Sequence, residues 1–205
     1  GVCSGDPAEL GATTDGFIFN HDVRIVDAVT GEVLGIGADG EIVTRGPEVM
    51  LGYTDPRHTE EAFDADGFFH TGDLGRIDDK GYITVTGRKK DLIIRGGENL
   101  SPKEIEDVLH QHPSIFEAAV VAMPHDRMGE TPCAFVVLKP GVSLEFNSMI
   151  EFLEKAKLAR QKFPEHMFVV NELPHTASGK VLKHVLRDRA AKEAVALSAQ
   201  RSTSK

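Results

Sequence analysis

The sequence predicts an α+β protein in two parts, a β-rich segment followed by a small mixed α+β domain. Three observations lead there. Up to residue 90, short apolar runs alternate with glycine and aspartate turns, which is the punctuation of strands. Beyond residue 90, helical periodicity takes over and alternates with short apolar runs. The charge divides at the same place. Of the net −9, residues 1–90 hold 17 acids and 8 bases, whereas residues 91–205 hold 15 of each.

Taken in order, Val23-Arg24-Ile25-Val26 alternates as a strand, Thr30-Gly31 turns, and Glu41-Ile42-Val43-Thr44 reads as the next strand. Thr59 to Phe63 is a short helix. Leu74 to Ile77 and Tyr82 to Thr86 flank Asp78-Asp79-Lys80-Gly81, a hairpin signal because glycine accepts a positive φ. Leu92-Ile93-Ile94 is an apolar strand stopped by Gly96-Gly97. Ser101-Pro102-Lys103-Glu104 has the pattern of a capping box with proline in the first turn, opening a helix that closes at His112-Pro113. Two strands, Ile115 to Met123 and Thr131 to Leu138, precede an amphipathic helix from Ser148 to Arg160, with Ile150, Leu153 and Lys157 at helical spacing. His166 to Val170 is a strand and Val181 to Ala190 a last helix; Ala196 to Lys205 is expected to fray. The run Arg88-Lys89-Lys90-Asp91 after Gly87 suggests a solvated joint between the parts.

Composition narrows the function. A chain of 205 residues with 40% hydrophobic and 27% charged residues has the makings of a packed core. Two cysteines, Cys3 and Cys133, exclude a disulfide scaffold and a CxxC site. The longest apolar run, Ala118 to Met123, is too short to span a bilayer, and Gly1 to Asp6 shows no signal-peptide pattern, so the expected compartment is the cytoplasm. Overall acidity argues against nucleic acid as partner. Between residues 155 and 192, nine bases face three acids, which suits a small polyanion but is also the composition of an ordinary solvated face.

Individual motifs are ambiguous. Gly35-Ile36-Gly37-Ala38-Asp39-Gly40 satisfies GxGxxG but leads into a strand rather than a helix, so it is not a dinucleotide fingerprint. Asn99-Leu100-Ser101 fits a glycosylation acceptor without any sign of secretion. His110 and His112 lie two apart with no paired cysteines nearby, so no metal site is expected. Thr71-Gly72-Asp73 places a carboxylate beside a glycine, able to accept from a ribose diol or merely to close its own turn. Pro174-His175-Thr176-Ala177-Ser178-Gly179-Lys180 is not a P-loop, since Val181 follows the lysine. A lysine at a loop tip suits a moving cation for a phosphoryl or carboxylate oxygen, or is simply solvated.

Their order is more informative than any one of them. Gly40-Glu41-Ile42-Val43-Thr44-Arg45-Gly46-Pro47 is followed by Asp66-Gly67-Phe68-Phe69-His70-Thr71-Gly72-Asp73. Then come Gly87-Arg88-Lys89-Lys90-Asp91, the Gly96-Gly97-Glu98-Asn99-Leu100-Ser101-Pro102 run and the Lys180 loop. Over about residues 20–190 this series resembles the C-terminal part of the adenylate-forming superfamily, most closely its fatty-acid and aryl-acid CoA ligases. The resemblance implies an ATP-dependent activation of a carboxylic acid to acyl-adenylate, followed by transfer to CoA. By similarity, Asp73 would hold the ribose hydroxyls of ATP or AMP, and Arg88 the ribose or phosphate region. Lys180 would bridge carboxylate and α-phosphate, and Gly96 and Gly97 would lie along the pantetheine channel. Lys90 would be the hinge. Residues 1–88 would then be the β-rich end of a large domain, 89–91 the joint and 91–205 the small domain. The superfamily's upstream phosphate loop does not occur in these residues. Hence an upstream large domain is the expected partner, the chain alone is expected inactive, and Mg²⁺ is expected in the complete enzyme with no ligand assigned here. Alternatives are a peptide-synthetase adenylation domain and a non-enzymatic module binding nucleotide or a partner.

Overall fold

A computed structural model describes residue 10 and residues 13–203, and the chain divides into two compact units, Gly1–Lys90 and Asp91–Lys205. Cys3 and the opening residues used in the compartment argument lie outside the described residues. Among the described residues no helix is long and apolar enough to cross a membrane.

The first unit contains β1 (Gly16–Phe17), β2 (Asp22–Val26), β3 (Gly40–Arg45), α1 (Pro56–Ala62), β4 (Phe69–Ile77) and β5 (Tyr82–Arg88). The strands form one antiparallel sheet in the order β1-β5-β4-β3-β2. At the β4–β5 hairpin, Asp78 Oδ1 accepts from the amides of Lys80 (3.0 Å) and Tyr82 (2.8 Å), while Gly81 takes φ +84°. The aspartate thus does the local work that the sequence signal implied. The core is small, built on Val26, Val43 and Phe68, and the guanidinium groups of Arg24 and Arg45 lie 4.2 and 4.5 Å from the Phe68 ring centre. Two boundaries differ from expectation. α1 starts at Pro56 because Asp55 accepts from the Arg57 amide at 3.0 Å, supplying an N-cap. β4 starts at Phe69, not Leu74, so Thr71-Gly72-Asp73 lies inside a strand. Gly40 ends the glycine-rich loop by entering β3; a Cβ there would stand 2.4 Å from the Val26 carbonyl oxygen, so close strand packing accounts for it.

The second unit contains β6 (Ile93–Arg95), β7 (Glu98–Leu100), α2 (Pro102–Leu109), β8 (Ile115–His125), β9 (Gly129–Leu138), α3 (Phe146–Lys155), β10 (His166–Val169) and α4 (Lys183–Thr203). β9 is the hub: it pairs antiparallel with β8, parallel with β10, and meets β6 at Arg95↔Gly129. Alternate residues of β8 and β9 feed two cores. Ala118, Val120, Ala134 and Val136 join Ile105 and Leu109 of α2 and Met149 and Leu153 of α3. Ala119, Val121, Cys133 and Phe135 join Leu186 and Ala190 of α4. Helices therefore cover both faces, which is why Ala118 to Met123 is continuously apolar rather than alternating.

Three expectations are corrected here. The second helix ends at Lys155, not Arg160, because Lys157 takes φ +60° and closes a Schellman motif. Its amide reaches the Glu154 carbonyl (2.9 Å), and that of Leu158 reaches Leu153 (3.2 Å). The last helix begins at Lys183 and runs to Thr203, so the segment from Ala196 is helical up to that point instead of frayed; Ala194 and Leu197 pack onto the second core and extend it. The capping box does not form: Ser101 is the N-cap without a side-chain cap bond, and Glu104 instead takes the Lys162 ammonium at 2.7 and 2.6 Å.

Candidate functional site

The expected site residues fall in both units. In the first, register places Asp73 of β4 directly opposite Arg88 of β5, and the two form an ion pair with Arg88 Nε 2.9 Å from Asp73 Oδ1. The Asp73 side chain stays 32% exposed, so the carboxylate can still be reached by a donor such as a diol. Its backbone is set by Thr71, whose hydroxyl donates to the Ile42 carbonyl (2.7 Å) and accepts from the Asp73 amide (3.1 Å). Gly72 takes φ +70° with open space around a would-be Cβ, so the glycine answers a conformational need alone.

A carboxylate that sequence reading did not single out lies alongside. Glu41 of β3 is 2% exposed and accepts from Lys89 Nζ (2.8 Å) and His70 Nδ1 (3.1 Å). Burial pushes its carboxyl up, but the bonds from Lys89 and His70 outweigh that and hold it below the usual range. The partners stand 29 and 48 positions away, a separation no local motif can signal. The charged run expected to be a solvated joint is mostly paired: Arg88 to Asp73, Lys89 to Glu41, and Asp91 to Arg187 of α4 at 2.9 Å. Among the described residues, Lys90 has neither ion pair nor side-chain hydrogen bond, and the two units divide directly after it.

In the second unit, Gly96 and Gly97 form the two-residue turn between β6 and β7, with φ +60° and +91°, the signs a type I′ turn requires. The Gly96 amide donates to the Met128 carbonyl (2.8 Å), and a Cβ on Gly96 would stand 2.6 Å from Met128 Cε. Arg95, at the base of this hairpin, pairs with Glu165 and donates to the Gln161 carbonyl at 3.2 Å. Burial raises the Glu165 carboxyl, yet the bond and charge of Arg95, with smaller contributions from Thr131 and His125, together outweigh it and the net direction is down.

The Lys180 loop is a tight, self-bonded turn. The Thr176 amide donates to the Lys180 carbonyl (2.8 Å), the Gly179 amide to the Thr176 carbonyl (2.9 Å), and the Lys180 amide to the Thr176 hydroxyl (3.0 Å). Gly179 takes φ +80°. Lys180 is exposed, and among the described residues its ammonium has no ion pair or hydrogen bond. The backbone is fixed while the charge at its tip is uncommitted.

A cleft in each unit reaches one of these residues, Thr71 in the first and Glu165 in the second. One of about 660 Å³ in the first unit includes Phe17, His21, Thr44, Met50 and Thr71 in its lining; one of about 570 Å³ in the second includes His125, Arg127, Glu165 and Ser198. Neither contains Asp73, Arg88 or Lys180. His110 and His112 each accept a backbone amide, from Ala118 (3.2 Å) and Ser114 (3.1 Å). Among the described residues no three His, Cys, Asp or Glu side chains gather as a metal site.

Residues 104–180 match the AMP-binding enzyme C-terminal domain. That stretch of the chain is thus similar to the C-terminal domain of AMP-binding enzymes. The medium-chain fatty-acid–CoA ligase of Escherichia coli is 46% identical over 185 residues, covering 89% of this chain and 32% of that protein. The vibriobactin-specific 2,3-dihydroxybenzoate-AMP ligase of Vibrio cholerae is 40% identical over 186 residues, covering 90% and 34%. Among solved structures, ATP-bound MatB from Rhodopseudomonas palustris superposes with a TM-score of 0.82 at 38% identity, covering 88% of this chain and 36% of that one. The chain spans about a third of the length of the curated relatives it matches.

Proposed function

We propose that this chain is the C-terminal part of an AMP-forming acyl-CoA synthetase acting on a fatty or aromatic carboxylic acid. In the first half-reaction a carboxylate oxygen attacks the α-phosphorus of ATP and pyrophosphate leaves. In the second, the CoA sulfur attacks the acyl carbon, AMP leaves and the thiol proton is released. The observation that carries this reading is Lys180: an uncommitted ammonium on a self-bonded turn, at the end of the segment matching the family. Such a cation stabilises charge that develops between carboxylate and α-phosphate, and a contact of this type is worth roughly 10²–10³ in rate. Asp73 would accept from the ribose hydroxyls and Arg88 would border the ribose or phosphates; the half-open carboxylate fits that role. Lys90 would be the joint at which the second unit turns between half-reactions, and the Gly96-Gly97 tip would meet the pantetheine arm. An upstream large domain would supply the acid pocket and most of the ATP site, and we assign Mg²⁺ no ligand in these residues.

The test is Lys180→Ala in the full-length protein, with the half-reactions measured separately. Acid-dependent pyrophosphate exchange should fall about 10²–10³-fold, while thioester formation from supplied acyl-adenylate persists. Equal damage to both steps contradicts the assignment. The 205-residue chain alone should show no acid-dependent exchange above its own Lys180→Ala control.

A further inference from the structure

The bonds that shape the Lys180 turn are internal to it. At its base, the Leu182 amide donates to the Pro174 carbonyl (2.8 Å) and His175 bridges Val181. These make the turn rigid, and Leu173, Val181 and Leu186 on its flanks pack into the second core and root it there. Two side-chain contacts, one at each end, add to that direction. His175 Nε2 lies 2.7 Å from Glu117 Oε1, and Glu117 stands at the register shift of β8. Lys183 Nζ, at the start of α4, lies 2.7 Å from Glu106 Oε1 of α2, and the same oxygen accepts from the Val120 amide at 2.6 Å. Both carboxylates sit on elements packed into the first core of the unit. An internally stiff turn held at both ends by carboxylates anchored elsewhere is aimed as a body.

We propose that Glu117, through His175, and Glu106, through Lys183, are positioning residues that aim Lys180 at the reacting oxygens. The proposal rests on the role given to Lys180 above. A long flexible stem makes the direction of its root decisive, and a displacement of about 1 Å at a reacting group costs on the order of 10²-fold.

Two readouts test it. In the 205-residue chain, backbone order parameters at Ala177, Ser178 and Gly179 should drop from about 0.85 toward 0.6 in His175→Ala and Glu117→Ala; unchanged values overturn the brace. In the full-length protein, either substitution should lower adenylation kcat by about 10–100-fold with KM within about twofold, sparing thioester formation from supplied acyl-adenylate. Glu117→Gln keeps an acceptor for the ring N–H and should restore most of the rate. The double variant should lose no more than the worse single one. Additive losses, no rescue by glutamine, or equal loss in both half-reactions overturn the proposal. If Lys180→Ala itself leaves adenylation intact, the functional reading fails, while the order parameters still decide whether the pair holds the turn.

Discussion

Replacing Glu41 by glutamine removes one charge from a nearly closed site and leaves its shape. The carboxylate receives two charge-assisted bonds, from Lys89 and His70, at 2.8 and 3.1 Å. Charge-assisted bonds contribute about 1.5–3 kcal/mol against about 0.5–1.5 for neutral ones, so losing the carboxylate charge costs about 1 kcal/mol at the His70 bond. Lys89 keeps its own charge and is 44% exposed, so it loses only a screened ion-pair attraction, which places the cost of Glu41→Gln at about 1–2 kcal/mol. For a unit of this size, that corresponds to roughly 5–10 °C in melting temperature. The sign with pH follows from the carboxyl being held low in the folded state. Its stabilisation is complete above the unfolded carboxyl range and disappears as pH falls through the folded value. The wild type should therefore lead the variant at pH 7, and the gap should close as pH falls below about 4.5, the ordinary glutamate value. The chain offers a selective probe, since it has two tyrosines, Tyr53 and Tyr82, both in the first unit, and no tryptophan. Tyr82 is buried and meets the Phe17 ring edge-on at 5.4 Å, so tyrosine fluorescence follows this unit's unfolding. Equal midpoints at pH 7, or a gap that persists into acid, would refute the reasoning.

Four further outcomes are expected. Lys90→Pro fixes φ near −65° and removes an N–H, so the full-length protein should keep one half-reaction, adenylation, and lose the other; undiminished thioester formation removes Lys90 as the joint. Gly96→Ala and Gly97→Ala should each cost about 1–2 kcal/mol in denaturant titration, because both need positive φ. Gly96→Ala should cost more, the excess vanishing in a Met128→Ala background, as only Gly96 faces Met128. Asp73→Asn should raise the KM for ATP about tenfold in the full-length protein, and an unchanged KM would remove Asp73 from the nucleotide site. Burial pushes the Cys133 thiol up to about 12, so in a Cys3→Ser background an aromatic disulfide reagent at pH 7–9 should label it only at the rate the second unit opens; burst labelling contradicts this.

What the sequence makes legible is what neighbours in the chain decide. The Asp78–Gly81 hairpin is visible because one aspartate oxygen and one glycine build it locally. The Gly96-Gly97 pair marks a stop, yet β7 beyond it escapes notice: of Glu98, Asn99 and Leu100 only the last is buried, so no alternation shows. The last helix looks shorter than it is because Ser198, Ser202 and Thr203 suggest a tail, whereas contacts of Ala194 and Leu197 with distant strands keep it helical. By spacing alone Lys157 continues a helical face, and only its positive φ shows that it ends one. Asp73, Arg88 and Lys180 stand in recognisable ordered motifs, but Glu41, Glu106 and Glu117 acquire partners only through the fold.

The pairing within the run from Arg88 to Asp91 has a mechanical consequence. A tether of solvated charged residues would swing through a broad cone, and stopping it in one pose would cost about 1–2 kcal/mol of backbone entropy per residue. Here the residues flanking Lys90 are stitched down, Lys89 on one side and Asp91 on the other. Under the proposed role of Lys90 as the joint, the backbone freedom left to the run would be largely that of this one residue. The stitches are ionic, and the Lys89 and Arg187 ends are partly open to water. Screening, with a Debye length of about 10 Å at 0.1 M salt, loosens such stitches by degrees. The slack in this joint would then follow ionic strength, tightening in dilute buffer and easing in brine.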